Sequence, residues 1–132
     1  MGEKSIQSWE LQSETLQGLM KITVHRNHFD SDAQAYDEIE LAGMYPVEMI
    51  VPAVRNESHW HRFSTWIYII HGELNITDSE REVTLVAKPG SRVDVPARVL
   101  HSEESSGYTV IAGMSEHPDS IEGPIDLPPA EL

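Results

Sequence analysis

Apolar residues fall in short runs at positions 19–24, 46–51, 66–76, 82–87, 92–95 and 108–114, with turn-forming residues between them. Several short strands punctuated this regularly predict an all-β sandwich or barrel. Asp78-Ser79-Glu80 separates Leu74-Asn75-Ile76 from Val83-Thr84-Leu85, which predicts a β-hairpin whose polar tip faces water. Pro89-Gly90 and Pro96 punctuate the strand that follows. No segment carries a long apolar repeat of helical period, although residues 9–20 suit a short helix or an edge strand. No internal repeat is visible.

Trp66-Ile67-Tyr68-Ile69-Ile70 is apolar on both faces of a strand, where a strand with one face in water would alternate with polar residues. Its outer face needs a cover. The N-terminal segment around Trp9 can supply one, and so can the same face of a second subunit; the second alternative predicts a homodimer. Pro118, Pro124, Pro128 and Pro129 lack the N–H that a sheet ladder needs, so the end of the chain reads as an extended tail. The expected organisation is one domain over 1–132, with a barrel at about 19–116, an N-terminal segment at 1–18 and the tail at 117–132.

A chain of 132 residues suits one domain and can bury roughly two-thirds of its extended-chain surface, enough to enclose a small pocket. Nine Lys and Arg stand against 22 Asp and Glu, and the net charge of −13 repels phosphate backbones and anionic membranes. There is no cysteine, so disulfides, thiolate zinc sites and cysteine nucleophiles are excluded, and any metal must be held by nitrogen and oxygen. The opening Met-Gly-Glu-Lys-Ser-Ile-Gln has no apolar signal core, Ile6 breaks the myristoylation pattern, and no run reaches membrane-spanning length. The expectation is a soluble cytoplasmic protein that binds neither nucleic acid nor membrane.

Of seven histidines, two alternate in Ser58-His59-Trp60-His61. On an extended strand, residues two apart share a face, so both imidazoles can reach one metal ion at roughly 2.0–2.2 Å. A polar strand face accounts for the pair equally simply. Downstream come an apolar strand ending at Gly72, a gap of seventeen residues, Gly90, Pro96 and His101.

This layout resembles the cupin superfamily, whose two motifs run G-x5-H-x-H-x3-4-E-x6-G and G-x5-P-x-G-x2-H-x3-N. His59, His61, Gly72, Gly90, Pro96 and His101 match in frame, while Ala53, Thr65, Arg98 and Ser105 replace the first Gly, the Glu, the second motif's Gly and the Asn. The motif spacing is similar to that of short bacterial single-domain cupins. The resemblance implies a double-stranded β-helix, two antiparallel sheets in jelly-roll order, with a metal inside the barrel mouth on His59, His61 and His101.

Thr65 stands where the family has a ligating glutamate. A threonine hydroxyl is a poor ligand for first-row divalent metals, so three neutral imidazoles would leave the full +2 on the ion and favour an anionic, chelating ligand in the open positions. Some three-histidine iron(II) cupins are dioxygenases, and the resemblance implies one here, acting on a small chelating organic acid or diketone. Zinc, nickel, manganese and copper suit the same donors, and Irving–Williams affinities favour copper. Thr65 itself reads either as a holder of water or of His61, or as a β-branched residue suited to its strand.

Arg98 and Tyr68 are further candidates for contact with substrate, the first as a carboxylate clamp, the second, like Tyr108, as a proton donor or as packing. Arg62 reads as outward, pairing with surplus carboxylates such as Glu103 or Glu104, and Glu48 as a carboxylate available to complete the ligand set. His71 lies roughly 20 Å along the strand from Thr65 and reads as a turn or interface residue. His25 and His28 read as surface residues on opposite strand faces, and His117 as solvated. Two other functions stay open: a non-catalytic module binding a small molecule or metal, and a Lewis-acid isomerase or lyase.

Overall fold

In the computed structural model, which describes residues 21–132, the chain forms β1 (Thr23–His25), α1 (Asp32–Leu41), β2 (Tyr45–Arg55), β3 (Thr65–Gly72), β4 (Leu74–Asp78), β5 (Val83–Ala87), β6 (Arg92–Val95) and β7 (His101–Met114). Short 3-10 turns follow at Pro118–Ser120 and Pro129–Glu131. The expectations for residues 9–20 and for a cover around Trp9 lie outside the described residues.

All strand pairs are antiparallel, in the order β1-β6-β3-β7-β4-β5, with β2 also on β7. The sheet curls into a nearly closed barrel. β7 belongs to both of its halves. His101 to Glu104 pair with β4, and Tyr108 to Met114 pair with β3, so the two expected layers are one hydrogen-bonded sheet. The long apolar run at 66–76 is two strands, broken where Gly72 turns with φ +84°. A Cβ there would sit 2.3 Å from the Gly107 carbonyl oxygen, so glycine is required on both counts.

The alternation read in the sequence sets which side chains face inward. Leu74, Ile76 and Asp78 of β4 are buried while Asn75 and Thr77 between them are less so. Ile69, Leu74, Ile76, Val93 and Val110 form the barrel core. The hairpin at 78–80 forms as expected, but Asp78 is not at its wet tip: it is 2% exposed, opposite both Val83 and His101.

The helix α1 is a departure from the sequence reading. Its apolar stripe is only Ala35 and Ile39, one turn apart, which is too little for a periodic signal. Its start is nonetheless written locally: the Ser31 side chain accepts from the Gln34 N–H at 3.2 Å, and Gln34 reaches back to the Asp30 N–H at 3.0 Å. Ala35 and Ile39 pack with Phe29, Tyr68 and Ile111, flanked by Trp66 and Ile70. The outer face of β3 is therefore covered by α1 of the same chain, and its apolarity requires no second subunit. The Tyr68 hydroxyl is tied to the helix as well, donating to Glu38 at 2.8 Å.

The tail is held against Trp60. Leu127, 3% exposed, exchanges two backbone hydrogen bonds with Trp60 at 3.0 and 3.1 Å, and the Trp60 indole N–H donates to the Pro128 carbonyl at 2.9 Å.

Candidate metal centre

The first half of β7 is polar in sequence, yet it is strand, because its N–H and C=O groups pair with β2 and β4. His101 opens it and exchanges backbone hydrogen bonds with His59 at 2.8 and 2.9 Å. This bridge places two imidazoles that are 42 positions apart side by side, with ring centroids 4.4 Å apart. His61, two residues after His59, completes the group at 5.1 and 5.0 Å from the other rings, stacked on Phe63. One nitrogen from each ring lies within 4.8 Å of the others, so the three can hold a metal ion.

The tautomers support that use. Each Nδ1 faces a backbone carbonyl: His59 to Glu57 at 2.8 Å, His101 to Val99 at 2.8 Å and His61 to Ile125 at 3.0 Å. A carbonyl only accepts, so Nδ1 carries the proton and Nε2 of the neutral ring keeps its lone pair. Metal-binding histidines are held in this way, the outer partner fixing tautomer and ring orientation. Burial pushes the His101 imidazolium down to about 4, with the Val99 carbonyl opposing and the neighbouring His59 and His61 adding to the shift, which keeps this ring neutral near pH 7.

Two carboxylates border the cluster. Glu103 Oε1 lies 3.7 Å from His59 Nε2 and 3.6 Å from His101 Nε2, and its other oxygen accepts from the Tyr108 hydroxyl at 3.0 Å. Burial, reinforced by Glu103, pushes the Tyr108 phenol well above the usual tyrosine range, so it stays a donor. Asp126 of the tail lies 3.8 Å from His59 Nε2 and 3.5 Å from His61 Nδ1, with a largely exposed side chain.

The other candidates are placed as follows. Thr65 opens β3 opposite Val95 and Met114 and lines a shallow cleft with Lys21, Thr23, Ser64 and Pro96, in which no histidine takes part. Arg98 is exposed, its guanidinium 5.8 Å over the Trp60 ring. Its φ of +68° shows that the backbone keeps the left-handed turn at the position where the motif has glycine. Tyr68 is beneath α1, away from the cluster, whereas Tyr108 is at it. Glu48 is exposed on β2 and accepts from Tyr36, so it does not complete the ligand set. Arg62, His71 and His117 are exposed. His25 and His28 are not free surface residues: their rings are 5.6 Å apart, bonded to Asp94 at 2.9 Å and Glu38 at 2.7 Å.

Sequence reasoning missed Glu103, Asp126 and the Ile125 carbonyl. Glu103 had a signal: it stands two residues after His101, and the spacing that puts His59 and His61 on one face does the same here. The tail groups had none.

No family model matches the chain. No curated protein matches it by sequence either. Among solved structures it is similar to the WlaRB TDP-quinovose 3,4-ketoisomerase of Campylobacter jejuni, at 10% identity and a TM-score of 0.51 over 66% of this chain and 71% of that one. An RmlC-like cupin from Shewanella frigidimarina is 23% identical, with a TM-score of 0.48 over 59% of this chain and 71% of that one. RmlC from Streptococcus suis in complex with dTDP-D-xylose is 12% identical, with a TM-score of 0.46 over 73% and 62%. The strand order, the barrel and the ketoisomerase likeness agree: the chain has the cupin fold, with a three-histidine cluster consistent with a cupin metal site.

Proposed function

We propose that the chain is a metal-binding cupin, which holds one divalent transition metal on His59, His61 and His101 and acts as an iron(II)-dependent dioxygenase on a small chelating organic acid or diketone. The observation that carries the metal is the set of three imidazoles, each with Nδ1 facing a backbone carbonyl, that bring one nitrogen apiece within 4.8 Å of the others. The dioxygenase reading is supported by the departure at Thr65 from the family's glutamate.

When bound, the ion supplies Lewis acidity and, as iron(II), the capacity to activate oxygen. The chain's own residues bind, orient and exclude. His59 and His101 are buried and His61 is less so. Tyr108 holds a proton on its hydroxyl 3.0 Å from Glu103, next to where a bound acid would lie. Arg98 at the rim is the cation nearest in sequence to His101 and offers a bidentate partner to an anionic group.

The test is elemental analysis of protein purified without chelators, beside His101→Ala, with oxygen uptake recorded after iron(II) and candidate chelating acids or diketones are added. Near-stoichiometric metal in the parent, lost in His101→Ala, together with substrate-dependent oxygen uptake is the expected result. Metal without oxygen uptake moves the chemistry to Lewis-acid isomerisation or lysis, and tight ligand binding without turnover to a binding module.

A further inference from the structure

Glu103 has an arrangement that surface pairing does not account for. Its side chain is 15% exposed, and one oxygen faces two imidazole nitrogens at 3.6 and 3.7 Å. His59 and His101 each turn Nδ1 to a carbonyl, of Glu57 and Val99, so the nitrogen turned to Glu103 is Nε2, which in the neutral ring is the one with the lone pair. Two imidazole nitrogens and a carboxylate oxygen thus converge in a region water reaches poorly. Mutual repulsion among such acceptors is relieved by a cation in their midst.

Donors each roughly 2.0–2.2 Å from a tetrahedral ion lie roughly 3.3–3.6 Å from one another, and Glu103 meets His101 and His59 at 3.6 and 3.7 Å, at the edge of that range, while His61 joins them through its own place in the three-histidine group. The carboxylate is also held in place: Tyr108 donates to its far oxygen at 3.0 Å, and the Glu103 backbone N–H donates to the Asn56 side chain at 2.6 Å. Asp126 is the rival carboxylate, 3.8 Å from His59 Nε2, but its side chain is 62% exposed and it meets His61 at the nitrogen already turned to Ile125.

We propose that Glu103 is a fourth protein ligand of the metal, supplied from β7 in place of the carboxylate that position 65 lacks; the inference rests on the metal-binding reading above and not on the dioxygenase, whose support at Thr65 it withdraws. Glu103 reduces the charge on the ion from +2 to +1. The carboxylate is contributed two residues after His101, so one strand supplies two ligands.

The experiment uses the full chain titrated with cobalt(II), reading the dissociation constant by competition with a chromophoric chelator and the coordination by the visible spectrum. Glu103→Gln is compared with Glu104→Gln, an exposed neighbour, and with His101→Ala. The expected result is a loss of about tenfold or more in affinity and an altered cobalt spectrum for Glu103→Gln, with Glu104→Gln behaving as the parent. Parent-like affinity and spectrum in Glu103→Gln, with the ion lost in His101→Ala, overturns the Glu103 assignment and leaves the metal-binding reading standing. Failure of the parent to bind overturns both. If Glu103→Gln does not fold, the parent's infrared difference spectrum on adding one equivalent of zinc decides: a carboxylate band moving to a metal-bound position supports the assignment, and an unchanged carboxylate region overturns it.

Discussion

Gly72 and Arg98 both sit at left-handed backbone positions, and they show how a motif can be kept in conformation while it changes in sequence. Arg98 adopts φ +68° with its side chain free to lie outward over Trp60, so only the backbone preference is lost. Gly72 has no such freedom, because a Cβ would meet the Gly107 carbonyl and Tyr108 at under 3 Å. Gly72→Ala is expected to lower the unfolding free energy by about 2 kcal/mol or more, measured by urea denaturation. An unchanged midpoint would show that the β3–β4 corner relaxes freely. The family's pattern at Gly72 was legible because a steric demand of the backbone admits few residues. At Thr65 it was not, because a carboxylate ligand can be delivered from another strand.

Among elements, α1 carries the largest departure from expectation. It docks through few apolar residues and is tied down by polar ones, with Glu38 accepting from Tyr68 and facing His28 and Arg92. Burial of Glu38 opposes its charge, but the hydrogen bonds of His28 and Tyr68 and the charges of His28 and Arg92 outweigh it and hold the pKa below the ordinary 4.5. As pH falls, the unfolded chain takes up the proton first. The stabilisation is present above the unfolded value and is lost as pH falls through the folded one. Glu38→Gln is therefore expected to lower the denaturation midpoint near neutrality, with the gap to the parent narrowing below pH 4.5 in a urea series at stepped pH. A constant gap would mean that Glu38 acts through packing and not through its charge. The covered outer face of β3 also shows that an apolar strand pattern reports burial, not what does the burying, and so carries no argument for or against a second subunit.

For the molecule as a whole, the C-terminal tail is part of the site and not an appendage. It supplies the carbonyl that orients His61 and the bridge to Trp60 between the two alternating histidines. Deleting residues 124–132 is expected to weaken metal binding by about tenfold, by chelator competition, while the far-ultraviolet spectrum stays that of a β-protein. Affinity equal to the parent's would show that the barrel alone sets the tautomer of His61. The net charge of −13 favours the approach of a cation and opposes that of an anion, so under the proposed function an acidic substrate would depend on the local charge of a bound ion. Among the described residues no helix is long and apolar enough to cross a membrane.

The barrel class, the hairpin, β6 at its observed limits and the alternating pair His59 and His61 could be read from spacing and alternation, since strand period is a local property of the chain; His101 joined the pair only through the resemblance to the cupin motifs. The helix escaped because its burial depends on β3 lying beneath it, and its own residues are mostly polar. Asp126 and the Ile125 carbonyl escaped for a related reason, since only the tail's path brings them next to His59 and His61, whereas Glu103 had a local signal in its spacing two residues after His101. What a side chain can do as a ligand is written in its type, but which groups share one ion depends on long-range pairing, here the bridge between His59 and His101 and the tail's pairing with Trp60.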